Sequence, residues 1–93
     1  DADRAINLGG QEAHIFRAAA LRGLERCEEA LQAAATAERL APGLPDVALE
    51  RGYCLAELGR IDEARAALVQ AAQAEADLVA EPARFALERL SGG

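Results

Sequence analysis

The sequence predicts an all-α protein, and three observations lead to that prediction. Hydrophobic residues make up 52% of the 93 residues, yet aromatic residues make up only 3%. Alanine dominates, in runs such as residues 18–20 and 33–35, and alanine is the strongest helix former. Valine, isoleucine, threonine and aromatic residues, which favour strands, are scarce. We therefore expect helices with closely approaching backbones in one small domain, residues 1–93.

The charge of the chain argues against a nucleic-acid partner. The net charge is −6 and the pI is about 4.7, whereas a nucleic-acid-binding domain normally has a basic face. Every basic residue is Arg, a bias that we attribute to the GC-rich codons of a bacterial genome. The sequence contains no apolar stretch long enough to cross a membrane and no signal-peptide pattern. We expect a cytoplasmic protein, or a periplasmic one if an upstream signal has been removed.

Two segments of the chain repeat each other at an offset of 34 residues, namely residues 11–44 and residues 45–78. The Leu, Arg and Glu matches between them are not expected from an alanine-rich composition alone. Such a period is typical of helical repeat proteins, in which each repeat is one supersecondary unit. The identical pairs are Arg17/Arg51, Leu21/Leu55, Leu24/Leu58, Arg26/Arg60, Glu29/Glu63, Ala30/Ala64, Ala33/Ala67, Ala37/Ala71 and Leu44/Leu78.

Each segment reads as two helices joined by a turn, because apolar residues recur at helical spacing on both sides of a breaker. In the second segment Gly59 ends the first helix, residues 60–63 form the turn, and Asp62 is expected to cap the next helix. In the first segment residues 26–29 form the turn and Glu25 stands where the glycine is expected. Residues 41–45 separate the two segments. The expected inner stripes are Leu21, Leu24, Ala30, Ala34 and Ala37, and then Leu49, Gly52, Leu55, Leu58, Ala64, Leu68 and Ala71.

Residues 52–64, GYCLAELGRIDEA, resemble the tetratricopeptide repeat. The family's small, large apolar, glycine and alanine places hold Gly52, Leu55, Gly59, Ala64, Leu68 and Ala71. Both segments depart from the family in the first helix, where Arg17 and Arg51 replace a leucine and His14 and Ala48 replace a tryptophan. The resemblance covers about three quarters of the chain. It implies a right-handed solenoid in which antiparallel helix pairs stack, with about five helices in all. An extra helical turn at the N-terminus is the open alternative.

The flanking residues complete the predicted array. Residues 79–93 are expected to form a capping helix, with Pro82 in its first turn and an apolar face of Ala83, Ala86, Leu87 and Leu90. Its alternative role is to open a further repeat. Residues 1–10 are interpreted either as the tail of an earlier repeat or as part of a third unit.

The sequence offers no constellation that would support catalysis, a metal site or a cofactor site. His14 has no second His or Cys at ligand spacing, so we expect it to fill a position between helices. Cys27 and Cys54 lie inside helical patterns without a CxxC motif. They are interpreted as buried thiols, with a disulfide or a regulatory thiol as the alternative. We expect a protein that is not an enzyme.

The resemblance implies a concave binding face built from the first helix of each repeat. Tyr53 is the strongest single candidate on that face, since tyrosine offers a rigid apolar surface with a polar tip; its alternative role is to cover the neighbouring helix. The expected partner-binding residues are Glu12, Ile15, Ala19, Arg22, Asp46, Leu49, Tyr53, Ala56 and Glu57.

These observations predict a protein–protein interaction scaffold that binds a peptide or a helix of another protein. Two alternatives remain open, a dedicated chaperone for a secretion or assembly subunit, and a self-associating module that forms homo-oligomers. A regulatory appendage on an enzyme within the same chain is a further alternative.

Overall fold

A computed structural model describes residues 10–92 of the chain. These residues form five α-helices and no strand, which confirms the all-α prediction. The predicted N-terminal tail lies outside the described residues, apart from Gly10. The helices are α1 (Gly10–Gly23), α2 (Cys27–Leu40), α3 (Pro45–Glu57), α4 (Ile61–Ala72) and α5 (Asp77–Gly92).

The helices are arranged in two layers. Short turns join α1 to α2 and α3 to α4, and the members of each pair pack against one another along their length. α3 also packs on α1 and α2, and α5 packs on α3 and α4, whereas α2 and α4 have no close backbone contact. One layer therefore contains α1, α3 and α5, and the other contains α2 and α4.

The two turns within the pairs have the same hydrogen bonds. Arg26 N–H donates to Leu21 O, and Arg60 N–H donates to Leu55 O, both at 2.9 Å. The residues before the two arginines, Glu25 and Gly59, have φ of 62° and 81°. These are Schellman turns, in which the left-handed residue lets the chain satisfy the last helical carbonyls. Gly59 ends its helix as predicted, and Glu25 takes the same conformation without being a glycine.

The starts of α2 and α4 also match. Arg26 and Arg60 each hold the glutamate three residues later through two bonds, with Nε–Oε1 distances of 2.6 and 3.0 Å. The repeated pairs Arg26/Arg60 and Glu29/Glu63 therefore form the same ion pair at the start of α2 and of α4. The expected cap by Asp62 is wrong, because α4 already begins at Ile61 and no side chain caps it. The turns are correspondingly shorter than predicted.

The core is built mainly from alanine, which lets the helices approach closely. Ala30, Ala34, Ala37, Ala64 and Ala71 are at most 1% exposed, as their predicted stripe requires. Gly52 faces Leu68 so closely that a Cβ atom on the glycine would stand 2.6 Å from Leu68 Cγ. Leu24 and Leu58 do not belong to the core, since they are 66% and 40% exposed.

The final helix differs from its prediction at its beginning. α5 starts at Asp77, and Pro82 lies inside it rather than in its first turn. The predicted apolar face is confirmed: Ala83 is buried, and Ala86, Leu87 and Leu90 pack against the cluster that contains it. The start of α5 follows the start of α3 at Pro45 by 32 residues, so the 34-residue spacing is not kept here.

Candidate functional site

A groove of about 550 Å³ opens between the C-terminal parts of α1, α3 and α5. Its floor includes Leu68, and its remaining lining comes from the layer that these three helices form. The lining residues are Arg22 from α1, Tyr53, Ala56 and Glu57 from α3, and Pro82, Phe85, Ala86, Arg89 and Leu90 from α5. The groove is mostly apolar, with two arginines and one glutamate along it, which is the usual make-up of a binding site.

The α1 and α3 sides of the groove are held together by Arg22. Its Nε donates to Glu50 Oε1 at 2.9 Å, and its guanidinium carbon lies 4.6 Å from the centroid of the Tyr53 ring. The cation–π contact packs the Tyr53 ring against the guanidinium of Arg22, and the charge-assisted hydrogen bond holds that guanidinium on α3. Burial raises the pKa of Tyr53, with the Arg22 charge acting in the opposite direction. The Tyr53 hydroxyl is therefore neutral at neutral pH.

Glu57 is also tied to the core by a hydrogen bond. The Cys27 thiol donates to Glu57 Oε2 at 2.9 Å. Burial, together with this bond, raises the pKa of Cys27 from 9.0 to about 12. A thiol with such a pKa is protonated and unreactive at neutral pH. Cys54 lies in the same buried cluster as Cys27, and both are free thiols, in agreement with their interpretation as buried small residues.

The α5 side of the groove carries two residues that sequence reasoning missed. Phe85 is 62% exposed, and Arg89 is exposed and makes no ion pair with a described residue. Both lie outside the apolar face that was used to predict the capping helix. The sequence signal that could have identified Phe85 is an aromatic residue lying off the apolar face of an amphipathic helix.

The structure brings together four of the expected partner-binding residues, Arg22, Tyr53, Ala56 and Glu57. Ile15 and Leu49 are half-buried and pack against two separate core clusters, and neither lines the groove with Tyr53. The remaining candidates do not line the groove: Glu12 and Asp46 are exposed elsewhere, and Ala19 is half-buried.

A second, smaller depression of about 160 Å³ lies between α1 and α2 and is mainly polar. His14 lines it and is half-buried, consistent with the expected position between helices. Within residues 10–92 no group of three His, Cys, Asp or Glu side chains is placed to hold a metal ion. None of the five described helices has the length and apolar character needed to cross a membrane.

No protein-family model, curated protein or solved structure matches this chain.

Proposed function

We propose that this chain is a protein–protein interaction module that holds an apolar segment of another protein in the groove between α1, α3 and α5. The supporting observation is the arrangement of Tyr53, Phe85 and Arg89 around one opening. The two aromatic rings offer contact area for an apolar side chain of the segment. Arg89 has no carboxylate partner among the described residues, so it is available for one acidic side chain of the same segment.

We also propose that the fold is a solenoid of the tetratricopeptide type. Three features support it: helices α2 and α4 begin 34 residues apart, at Cys27 and Ile61; the turns before them share their hydrogen bonds; and alternate helices lie in separate layers. In repeats of this kind the layer of first helices is the concave binding side. The groove lies on that layer.

The side chains along the groove favour binding of a helix. A segment in helical form presents an apolar side chain and a carboxylate on one face when they are three or four residues apart. Such a pair is able to reach the aromatic rings and Arg89 together. Because Tyr53 already packs against Arg22, less side-chain entropy is lost when the segment binds at that wall than for a free tyrosine.

The proposal is tested with a displayed library of helix-forming peptides of defined sequence. We expect selected peptides to share an apolar residue and an acidic residue at helical spacing. Tyr53→Ala and Phe85→Ala should each weaken their binding by about tenfold or more, measured by fluorescence polarisation. The matched control is Val69→Ala, since Val69 is 45% exposed on α4 and outside the groove. Peptides that bind both groove variants as tightly as the unmodified chain would contradict the proposal.

A further inference from the structure

The two walls that α3 and α5 give to the groove carry their side chains in the same order. Tyr53 and Phe85 are the ninth residues of these helices. Glu57 and Arg89 are the thirteenth residues, and all four line the groove. α3 and α5 run in the same direction, since a short connection joins each of them to α4 and each packs against it. The groove therefore has two aromatic rings toward one end and, one helical turn further along, a carboxylate on one wall and a guanidinium on the other.

The two charges at that end of the groove do not neutralise each other. Glu57 and Arg89 are both exposed, and neither makes an ion pair with another residue of the described range 10–92. Glu57 accepts a hydrogen bond from the Cys27 thiol, which orients the carboxylate but is a neutral donor and leaves its charge uncompensated. The remaining groove charge, on Arg22, already faces Glu50. A bound segment thus meets one negative and one positive charge on opposite walls.

A helical segment reaches both charges through two adjacent residues. The residues three and four positions away from a given residue lie one turn along the helix, and the two rows are inclined to opposite sides of the helix axis. When an apolar side chain lies between the rings of Tyr53 and Phe85, these two positions face opposite walls. A basic residue at one position then meets Glu57, and an acidic residue at the other meets Arg89.

We propose that the segment held in the groove is a helix with a basic and an acidic residue side by side, three and four positions from its apolar residue. The inference rests on the proposed function and names the charge pattern of the partner that the groove selects. The apolar side chain supplies the contact area. The two charges select the partner, because exchanging them brings like charges together at both walls.

Five helical peptides of about 18 residues, each built from alanine and glutamine around one tryptophan, test this pattern. Four carry Lys–Glu or Glu–Lys at the third and fourth positions before or after the tryptophan, and the fifth has glutamine there. Fluorescence polarisation measures their Kd for the full chain. On at least one side of the tryptophan we expect the two orders to differ in Kd by about tenfold at low salt. The difference should shrink at high salt, since the charges are exposed.

The chain that carries both Glu57→Arg and Arg89→Glu should prefer the opposite order of the same peptides. Glu57→Gln is a second variant, which keeps an acceptor for the Cys27 thiol and should reduce the preference without reversing it. The matched control is Arg84→Glu, because Arg84 is exposed on α5 and does not line the groove; it should keep the original preference. Circular dichroism establishes that each variant keeps the helical content of the unmodified chain.

The outcomes separate this inference from the proposed function. Equal binding of both orders and of the glutamine peptide, with Tyr53→Ala still weakening it, would overturn the charge pattern and leave the proposed function standing. An order preference that persists unchanged in the exchanged variant and in Glu57→Gln would also overturn the charge pattern. Absence of binding by every peptide, or binding that Tyr53→Ala does not change, would contradict the proposed function and the inference with it.

Discussion

Gly52 of α3 and Leu68 of α4 approach more closely than any other glycine between Gly10 and Gly59 approaches a neighbouring side chain. A Cβ atom on Gly52 would stand 2.6 Å from both Leu68 Cγ and Cδ2, and Leu68 is completely buried. The equivalent residues of the first repeat are Ala18 and Ala34, which share a buried cluster. The second repeat thus has a smaller residue than the first on one helix, Gly52 in place of Ala18, and a larger residue on the other, Leu68 in place of Ala34.

Gly52→Ala should therefore destabilise the chain, although alanine is the better helix former. We expect a loss of about 1–3 kcal/mol in the free energy of unfolding, because the added methyl group overpacks the interface. Urea denaturation followed by circular dichroism measures this loss. In a Leu68→Ala background the same substitution should cost nothing or stabilise the chain, and equal losses in both backgrounds would contradict the contact. Gly23→Ala, which meets no atom within 4 Å, is the control and should stabilise by about 0.5 kcal/mol.

Glu25→Gly should stabilise the chain. Glu25 has a φ of 62°, in the left-handed region where a side chain costs about 1 kcal/mol that glycine avoids. The Schellman hydrogen bonds use only backbone atoms, so they survive the change. We expect a gain of about 1 kcal/mol and a rise in Tm. Gly59→Glu is the reciprocal control and should lose a similar amount, whereas a destabilised Glu25→Gly variant would show that the glutamate side chain has a role of its own.

Glu50→Gln should destabilise the chain more than the loss of an exposed ion pair does. The side chains of Arg22 and Glu50 are only 30% and 12% exposed. In the variant, the half-buried Arg22 would keep its positive charge but would no longer face a negative charge. We expect a loss of about 1–2 kcal/mol, less than for a fully buried pair because solvent still reaches Arg22.

Glu63→Gln provides the matched control for that measurement. It breaks the Arg60–Glu63 pair, whose side chains are 52% and 57% exposed, and should change the free energy of unfolding by less than about 0.5 kcal/mol. Equal losses in the two variants would show that the Arg22–Glu50 pair behaves as a surface pair.

The stability of the chain should fall in alkaline solution, in part through Cys27. Its pKa rises from 9.0 to about 12 on folding, so below about pH 9 the thiol is protonated in both states and the full stability is present. Between these values the unfolded chain releases the proton while the folded chain retains it. Each pH unit in this window should therefore cost up to about 1.4 kcal/mol.

Chemical denaturation at a series of pH values measures the effect of this thiol. Burial also raises the pKa of Cys54 and Tyr53, so the test compares slopes. The Cys27→Ala variant should lose less stability per pH unit above pH 9 than the unmodified chain. Equal slopes would exclude the Cys27 thiol as a source of the alkaline sensitivity.

Local patterns in the sequence determined much of this fold. The alanine-rich runs predicted helices because the helix propensity of a residue is a local property. The positions of Gly59 and of residues 41–45 marked helix ends correctly, since such breakers act through the backbone of their own turn. The identity of Ala30, Ala37, Ala64 and Ala71 as core residues followed from their spacing alone.

Only the tertiary structure decided where the candidate site lies. Tyr53 and Arg22 were candidates from the sequence. That they line one groove together with Phe85 and Arg89 depends on which face α5 turns toward α3 and α4. The face of α5 that packs is the one that carries Ala83, Ala86, Leu87 and Leu90. Ile15 and Leu49 are half-buried against core clusters and do not line the groove, because side-chain burial depends on neighbouring helices that local spacing does not specify.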